Sequence, residues 1–247
     1  MANYKMLIQY DGTRYNGWQK QGDTKNTIQE KLETVLFRMS GETVDVHGAG
    51  RTDAGVHAKG QVAQFRLRED RDPEEICAYL NEYLPDDIGV LSVTEAAPRF
   101  HSRYNASQKT YRYRIGKNKA FHVFERKYIH EHRGRALDTA AMKTAAALLV
   151  GGHDFKSFCG NPHMKKSTVR ELFAIEIRET ADEISLTFIG EGFLQYMIRI
   201  LVGTLIEVGE GKRDPLSMTA LLEARDRRLA GPTAPACGLT LLEVKYN

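Results

Sequence analysis

Three residues of this chain combine type and setting in a way that suits chemistry, and Asp53 comes first. It lies in HGAGRTDAGVHAKGQ, residues 47 to 61, among Gly48, Gly50 and Gly55, with Arg51 two positions before it. Glycines let a ligand approach the main chain closely, and a nearby guanidinium favours the ionised carboxylate. Such a carboxylate suits a general base, a general acid or a nucleophile; the competing reading is an aspartate that only closes its own turn. Arg199 is second. It interrupts the apolar run GFLQYMIRILVGTL, residues 192 to 205, with Gln195 one helical turn before it and Gly203 one turn after. These three predict a narrow polar stripe on a buried helix, and a buried arginine needs an anionic partner, catalytic or merely structural. Tyr111 is third. In KTYRYRI, residues 109 to 115, it shares a strand face with Tyr113 and Ile115. Periodicity alone makes it an inward-facing core tyrosine.

The elements that position these residues follow from hydrophobic period. Residues 4 to 10 alternate as a strand with Tyr4, Met6, Ile8 and Tyr10 on one face. Thr27 and Glu30 form a capping box for a helix carrying Ile28, Leu32, Val35, Leu36 and Met39. The run Val44–His47 is strand-like, and residues 61 to 68 alternate with Ala63, Phe65 and Leu67 inward and Gln64, Arg66 and Arg68 outward. The glycine loop therefore joins two strands. GAGRTD is superficially similar to a dinucleotide fingerprint, but that fingerprint needs a helix straight after the glycines, so no nucleotide cofactor is expected. Asp72 and Pro73 start a helix through Ile76, Leu80 and Leu84, and residues 88 to 95 read as a strand. The order β-α-β-β-α-β is that of a ferredoxin-like split unit. The second half predicts a strand at 109 to 115, a helix at 136 to 150, a strand pair at 168 to 178 and 184 to 190, a buried helix at 193 to 208 and a last strand at 239 to 246. The expectation is an α+β chain of two halves, 1–103 with the aspartate loop and 104–247 with Tyr111, Arg199 and Leu239.

Composition narrows the class of partner. The net charge is only +3, yet residues 99 to 135 hold eleven Lys or Arg against two acids, leaving 24 basic and 30 acidic residues elsewhere. Such clustering suits a polyanion. Phe100, Tyr104, Tyr111, Tyr113, Phe121, Phe124 and Tyr128 interleave with these bases. Phosphates take the charge and unpaired bases stack on rings; a solvated β-surface over core aromatics has the same composition. The three cysteines, Cys77, Cys159 and Cys237, are odd in number and form no CxxC pair, which argues against a disulfide framework or a zinc site. The HEH triplet at 130–132 lacks helical metal-ligand spacing and reads as an exposed loop. No apolar run is long enough for a membrane span and Met-Ala-Asn-Tyr-Lys begins no signal peptide, so a cytoplasmic protein with no metal is expected.

The string GRTDAGVHA resembles the central motif of the tRNA pseudouridine synthase A family along its whole length. Further matching pieces lie in the family's order: YDGTRYNGWQKQ, TIQEKLE, LNEYLP, FHSRYNASQKTYRYRI, DFKSF, GFLQYMIRILVGTL and GLTLLEV. The resemblance spans nearly the full 247 residues. It implies a pseudouridine synthase fold of two ferredoxin-like (RRM-like) halves whose mixed and antiparallel sheets join, with a central active-site cleft. It implies a cofactor-free enzyme that isomerises uridine to pseudouridine at positions 38, 39 and 40 of the tRNA anticodon arm, acting as a homodimer. It makes Asp53 the essential carboxylate, either attacking C1′ covalently or acting as a base on the sugar through a glycal-like intermediate. Arg199 then pairs with Asp53, Tyr111 stacks on the flipped uracil and Leu239 walls it. Arg51, His57 and Arg103 become RNA contacts, and Trp18 with Gln19 belongs to a loop used near the active site, although a loop tryptophan also suits capping the core. Two rival readings stay open: a paralogue with a different RNA target, and a non-catalytic ferredoxin-like RNA-binding protein.

Overall fold

A computed structural model of the chain describes residues 1–117 and 122–247; Phe121, one of the ring candidates, lies outside the described residues. The elements run β1 (Ala2–Tyr10), α1 (Ile28–Ser40), β2 (His47–Gly48), β3 (His57–Leu67), α2 (Pro73–Tyr83), β4 (Ile88–Glu95), β5 (Ala106–Gly116) and β6 (His130–Glu131). They continue α3 (Thr139–Ala147), β7 (Gly151–Asp154), β8 (Val169–Glu179), β9 (Glu183–Gly190), α4 (Met197–Gly209), α5 (Ser217–Ala224) and β10 (Leu239–Tyr246). The chain is a mixed α+β protein. Two compact units divide it: Met1–Ser107 together with Thr240–Asn247, and Gln108–Leu239.

In the first unit β1 pairs antiparallel with both β3 and β4. Its inward residues Tyr4, Met6, Ile8 and Tyr10 are buried, as alternation predicts. Ile28, Leu32, Val35 and Leu36 of α1 and Ile76 and Leu80 of α2 complete this core. Both helices start where capping chemistry places them. The Thr27 side chain accepts from the Glu30 amide at 3.2 Å, and Asp72 accepts from the Glu74 amide at 2.8 Å with Pro73 in the first turn. The other edge of β3 is shared. β2 takes its later part, antiparallel, at His47↔Gln64 and Gly48↔Ala63. β10 takes its beginning, parallel, at Thr240↔His57 and Leu241↔Ala58.

Two expectations for this unit are corrected. The strand-like run Val44–His47 contributes only His47 to β2; Val44 and Val46 are buried, but the Val46 amide donates to Glu33 Oε1 at 3.1 Å instead of to a ladder partner. Gln64, expected on a polar outer face, is buried and its Oε1 accepts from the Ser102 amide. Gln61 is fully buried, its Nε2 donating to Gly50 O at 2.8 Å. The two glutamines lie on opposite faces of β3, and each is buried as the partner of a backbone group, Gly50 O for Gln61 and the Ser102 amide for Gln64, and not as a solvated side chain.

In the second unit the strand order is β5-β9-β8-β7, antiparallel throughout, with β6 parallel to the end of β5. Its core joins Tyr113, Ile115, Leu186 and Phe188 of the sheet to Met142 of α3 and Ile200, Leu201 and Leu205 of α4. α4 begins later than its apolar run. Gln195 lies before the helix and is exposed, and Tyr196 caps it in the left-handed region at φ 59°. The predicted stripe of Gln195, Arg199 and Gly203 is therefore broken, and Arg199 is half-buried rather than buried. α3 is likewise shorter than 136 to 150, because Asp138 caps it through the Ala140 and Ala141 amides. His132 of the HEH triplet is buried, not in an exposed loop: its Nε2 sits 2.9 Å from Arg135 O and 3.6 Å from Glu210. Among the described residues no helix is long and apolar enough to cross a membrane.

Candidate active site

The Asp53 loop leaves β2 and returns into β3, and segment 10–18 clamps it. Tyr10 and Thr52 hydroxyls share a buried hydrogen bond of 2.8 Å. Burial pushes the Tyr10 phenol up to about 12, so it stays neutral in this contact. The Trp18 amide donates to Thr52 O at 3.0 Å, the Gly55 amide to Tyr15 O at 3.3 Å, and the Val56 amide to Asp53 O at 3.1 Å. Two glycines permit this contact. Gly17 sits at φ +90°, where a Cβ would fall 2.7 Å from Thr52 O, and a Cβ at Gly12 would collide with Val56 O. Backbone bonds on both sides of Asp53 therefore fix the main chain that carries its half-buried carboxylate. A carboxylate held by so rigid a loop loses little entropy on meeting a substrate.

The neighbours predicted from sequence fall into two groups. Arg51 and Arg103 are exposed and available to an anionic ligand. His57 and Trp18 are buried at 3% and 1% exposure, so they support the loop from beneath. His57 Nδ1 accepts from the Gly12 amide at 3.1 Å and lies 3.2 Å from the Asp11 carboxylate. The Trp18 indole packs against Tyr10 at 6.1 Å between ring centroids, the core-capping arrangement. Gln19 is half-buried and donates to Gln29 Oε1 at 2.7 Å, tying its loop to α1.

The second unit gathers Arg199 with the segment that leads into Leu239. Arg199 Nε donates to Ala234 O at 2.7 Å, and the Ala234 amide returns to Arg199 O at 3.0 Å. Its guanidinium lies over the Tyr196 ring, 5.3 Å from the centroid, a cation–π distance. The Tyr113 hydroxyl donates to Pro235 O at 2.9 Å, and burial raises its pKa while Arg199 opposes the shift. Leu239, at the start of β10, is buried. Tyr111 is buried on β5, edge-on to Phe193 at 5.2 Å. Tyr10, Thr52 and Tyr196 carry no functional mark in the sequence, and Tyr113 is marked there only as one of the rings among the basic residues. Tyr10 was legible only as a core residue, and nothing local in the chain marked Tyr196 as a left-handed cap. Among the described residues no group of three or more His, Cys, Asp or Glu is placed to hold a metal ion.

A family model described as tRNA pseudouridine synthase matches residues 6–105 and 145–247. This chain belongs to the tRNA pseudouridine synthase family. Members of the family are isomerases that convert uridine to pseudouridine. The chain is 47% identical over 247 residues to tRNA pseudouridine synthase A of Bacillus sp. (strain KSM-64), covering 100% of both. It is 44% identical over 246 residues to tRNA pseudouridine synthase A 2 of Bacillus cereus (strain ZK / E33L), and 46% over 246 residues to tRNA pseudouridine synthase A 1 of Clostridium tetani (strain Massachusetts / E88), again over 100% of each chain. Of the residues singled out, Asp53, Arg199 and Leu239 fall inside the stretches matched by the pseudouridine synthase model, whereas Tyr111 lies between them.

Proposed function

We propose that this chain isomerises uridine to pseudouridine at positions 38, 39 and 40 in the anticodon arm of tRNA, with Asp53 as the essential carboxylate. The observation that carries the reading is the clamped Asp53 loop, in a chain alike over its full length to proteins named tRNA pseudouridine synthase A. In the reaction the bond from uracil N1 to ribose C1′ breaks, the base turns over, C5 bonds to C1′, the C5 proton leaves to a base or to solvent, and N1 takes up a proton, so that substrate and product have the same atoms. No water enters the product, so a single carboxylate suffices where a glycosidase needs two. Asp53 serves either as nucleophile at C1′ or as base on the sugar. Tyr111 stacks on the uracil and takes part in proton transfer, Leu239 walls the base, and Arg199 supplies positive charge. Arg51 and Arg103 meet phosphates, while His57, Trp18 and Gln19 hold the loop. The enzyme works without cofactor, as a homodimer, in the cytoplasm. The element order β-α-β-β-α-β of the first unit and its pairings, β4-β1-β3 with β2 on β3, support a ferredoxin-like reading of that half.

The test uses a pre-folded anticodon stem-loop with uridine labelled by tritium at C5. Wild-type protein is expected to release tritium, and Asp53→Asn to release none while binding the RNA with near wild-type affinity. Turnover by Asp53→Asn near the wild-type rate removes Asp53 from the chemistry. Binding without release by the wild type favours the non-catalytic reading, and release only from other RNAs favours the paralogue.

A further inference from the structure

The first unit carries a column of three rings, exposed at His47 and Tyr104 and half-buried at His101 between them, that the reaction does not use. His47 stacks on His101 with centroids 5.7 Å apart and planes 28° apart, and His101 meets Tyr104 at 4.3 Å and 44°. Tyr104 is 76% exposed, so the outermost ring has an open face. Isolated surface aromatics need no explanation, but this column is built. The Ser102 hydroxyl donates to His47 O, and the Ser102 amide to buried Gln64. Tyr246 donates its hydroxyl to Ser102 O at 2.7 Å. Asn105 Oδ1 accepts from the His101 amide at 2.7 Å, and His101 Nδ1 from the Arg103 amide at 3.1 Å. Asn3 anchors the approach through Ala97 O and Phe100 O. The backbone at His47 and 101–103 and the His101 ring are thus fixed before anything binds, and Tyr104 rests on that ring, so part of the ordering cost is already met.

Charge points to the occupant. Arg103 follows His101 by two residues and its amide donates to the His101 ring, while exposed Arg66 stands two positions along β3 from Gln64, the residue paired with His47. Burial, then the neighbouring His47, then these arginines hold the His101 imidazole below its ordinary range. A neutral imidazole presents a stacking face, and arginines beside it suit phosphates. His47 also stands six residues before Asp53, at the root of the same loop.

We propose that the His47–His101–Tyr104 column is a stacking platform for one unpaired nucleobase of the RNA substrate, distinct from the uridine that reacts, with Arg66 and Arg103 meeting its flanking phosphates. The proposal rests on the reading of this chain as an RNA-modifying enzyme. Its role is to hold the RNA in register, so it acts on binding and not on the bond-breaking step.

The test places 2-aminopurine at each unpaired position of the stem-loop in turn and measures its fluorescence and the Kd with wild-type, Tyr104→Ala and Tyr104→Phe proteins. Quenching is expected at one position with wild type and Tyr104→Phe, and is expected to be lost with Tyr104→Ala. Loss of one stacked base weakens binding roughly 5- to 150-fold, and the single-turnover rate at saturating enzyme should stay near wild type. Unchanged Kd and quenching in Tyr104→Ala overturn the platform. Equal loss in Tyr104→Phe also overturns it, because the hydroxyl and not the ring face would then be the contact. Tritium release by the wild type, run alongside, reports separately on the catalytic reading: stacking without release leaves the platform standing and removes the isomerase.

Discussion

Tyr10 and Thr52 join hydroxyl to hydroxyl across 2.8 Å inside the first unit, and the residue after Thr52 is Asp53. The bond links the end of β1 to the loop that bears the candidate carboxylate. Tyr10→Phe removes one partner and leaves Thr52 Oγ1 in a dry site. The variant is expected to lose about 1–3 kcal/mol of stability. Its turnover should fall further than its melting temperature explains, because the loop loses a fixed point. Chemical denaturation and single-turnover rates check this; a variant that is less stable but turns over normally when folded would show that the bond serves stability alone.

Gly17 tests the clamp from its other side. At φ +90° and with Thr52 O in the way, Gly17→Ala must shift either its own segment or the Asp53 loop. A cost of about 1–3 kcal/mol is expected from backbone strain alone. Catalytic rate should drop while RNA affinity changes less, since the exposed arginines remain. Gly41→Ala is the control: it shares a positive φ, at +74°, but has open space around it. A Gly17→Ala enzyme no slower than Gly41→Ala would remove the clamp from the catalytic argument.

Arg199 holds the 234–235 segment through Ala234 O and stacks on Tyr196. Arg199→Ala is expected to cost about 1–3 kcal/mol of stability through that lost charged hydrogen bond, and to lower turnover steeply if its charge serves the reaction. Arg199→Lys keeps the charge without the planar fork, so partial recovery of rate is expected. Thermal melting and single-turnover kinetics on both variants separate the roles. A folded Arg199→Ala protein that turns over at the wild-type rate assigns Arg199 to structure.

His101 and His130 give the stability a pH dependence. Burial holds both imidazoles below the ordinary 6.5 in the folded chain, with neighbouring histidines adding to the shift. Above that value both states are neutral at these sites and no stability is lost. As pH falls below it, the unfolded chain takes up protons that the folded chain resists, so stability declines toward the folded pKa values. Melting curves from about pH 8 to about pH 5 should show the decline, and it should be shallower in His130→Gln. An unchanged pH slope in that variant contradicts the assignment.

Local chemistry was legible in the sequence because its signals are local. Alternation placed Tyr4, Met6, Ile8 and Tyr10 on the inward face of β1, and Thr27 and Asp72 stand at the helix starts where their side chains cap. The motif around Asp53 and the pieces near Arg199 and Leu239 named a family that the comparisons show. Other features came only from long-range packing. Thr240–Asn247 belongs to the first unit because β10 completes the edge of β3 that β2 leaves open. Gln64 reads as a solvated residue on a half-exposed strand, yet it is buried because Ser102, 38 positions away, brings an amide that needs an acceptor. The family resemblance implies an RNA contact at His57 and a loop near the active site at Trp18, with capping of the core as the other reading of Trp18; only the fold shows that both side chains are buried. Gln195 and Arg199 have helical spacing, but the left-handed turn at Tyr196 puts one outside the helix and the other within it. Period, caps and turn residues act over a few positions and are written in order along the chain. Burial and backbone partnership depend on which distant segments meet, and that is decided only when the whole fold closes.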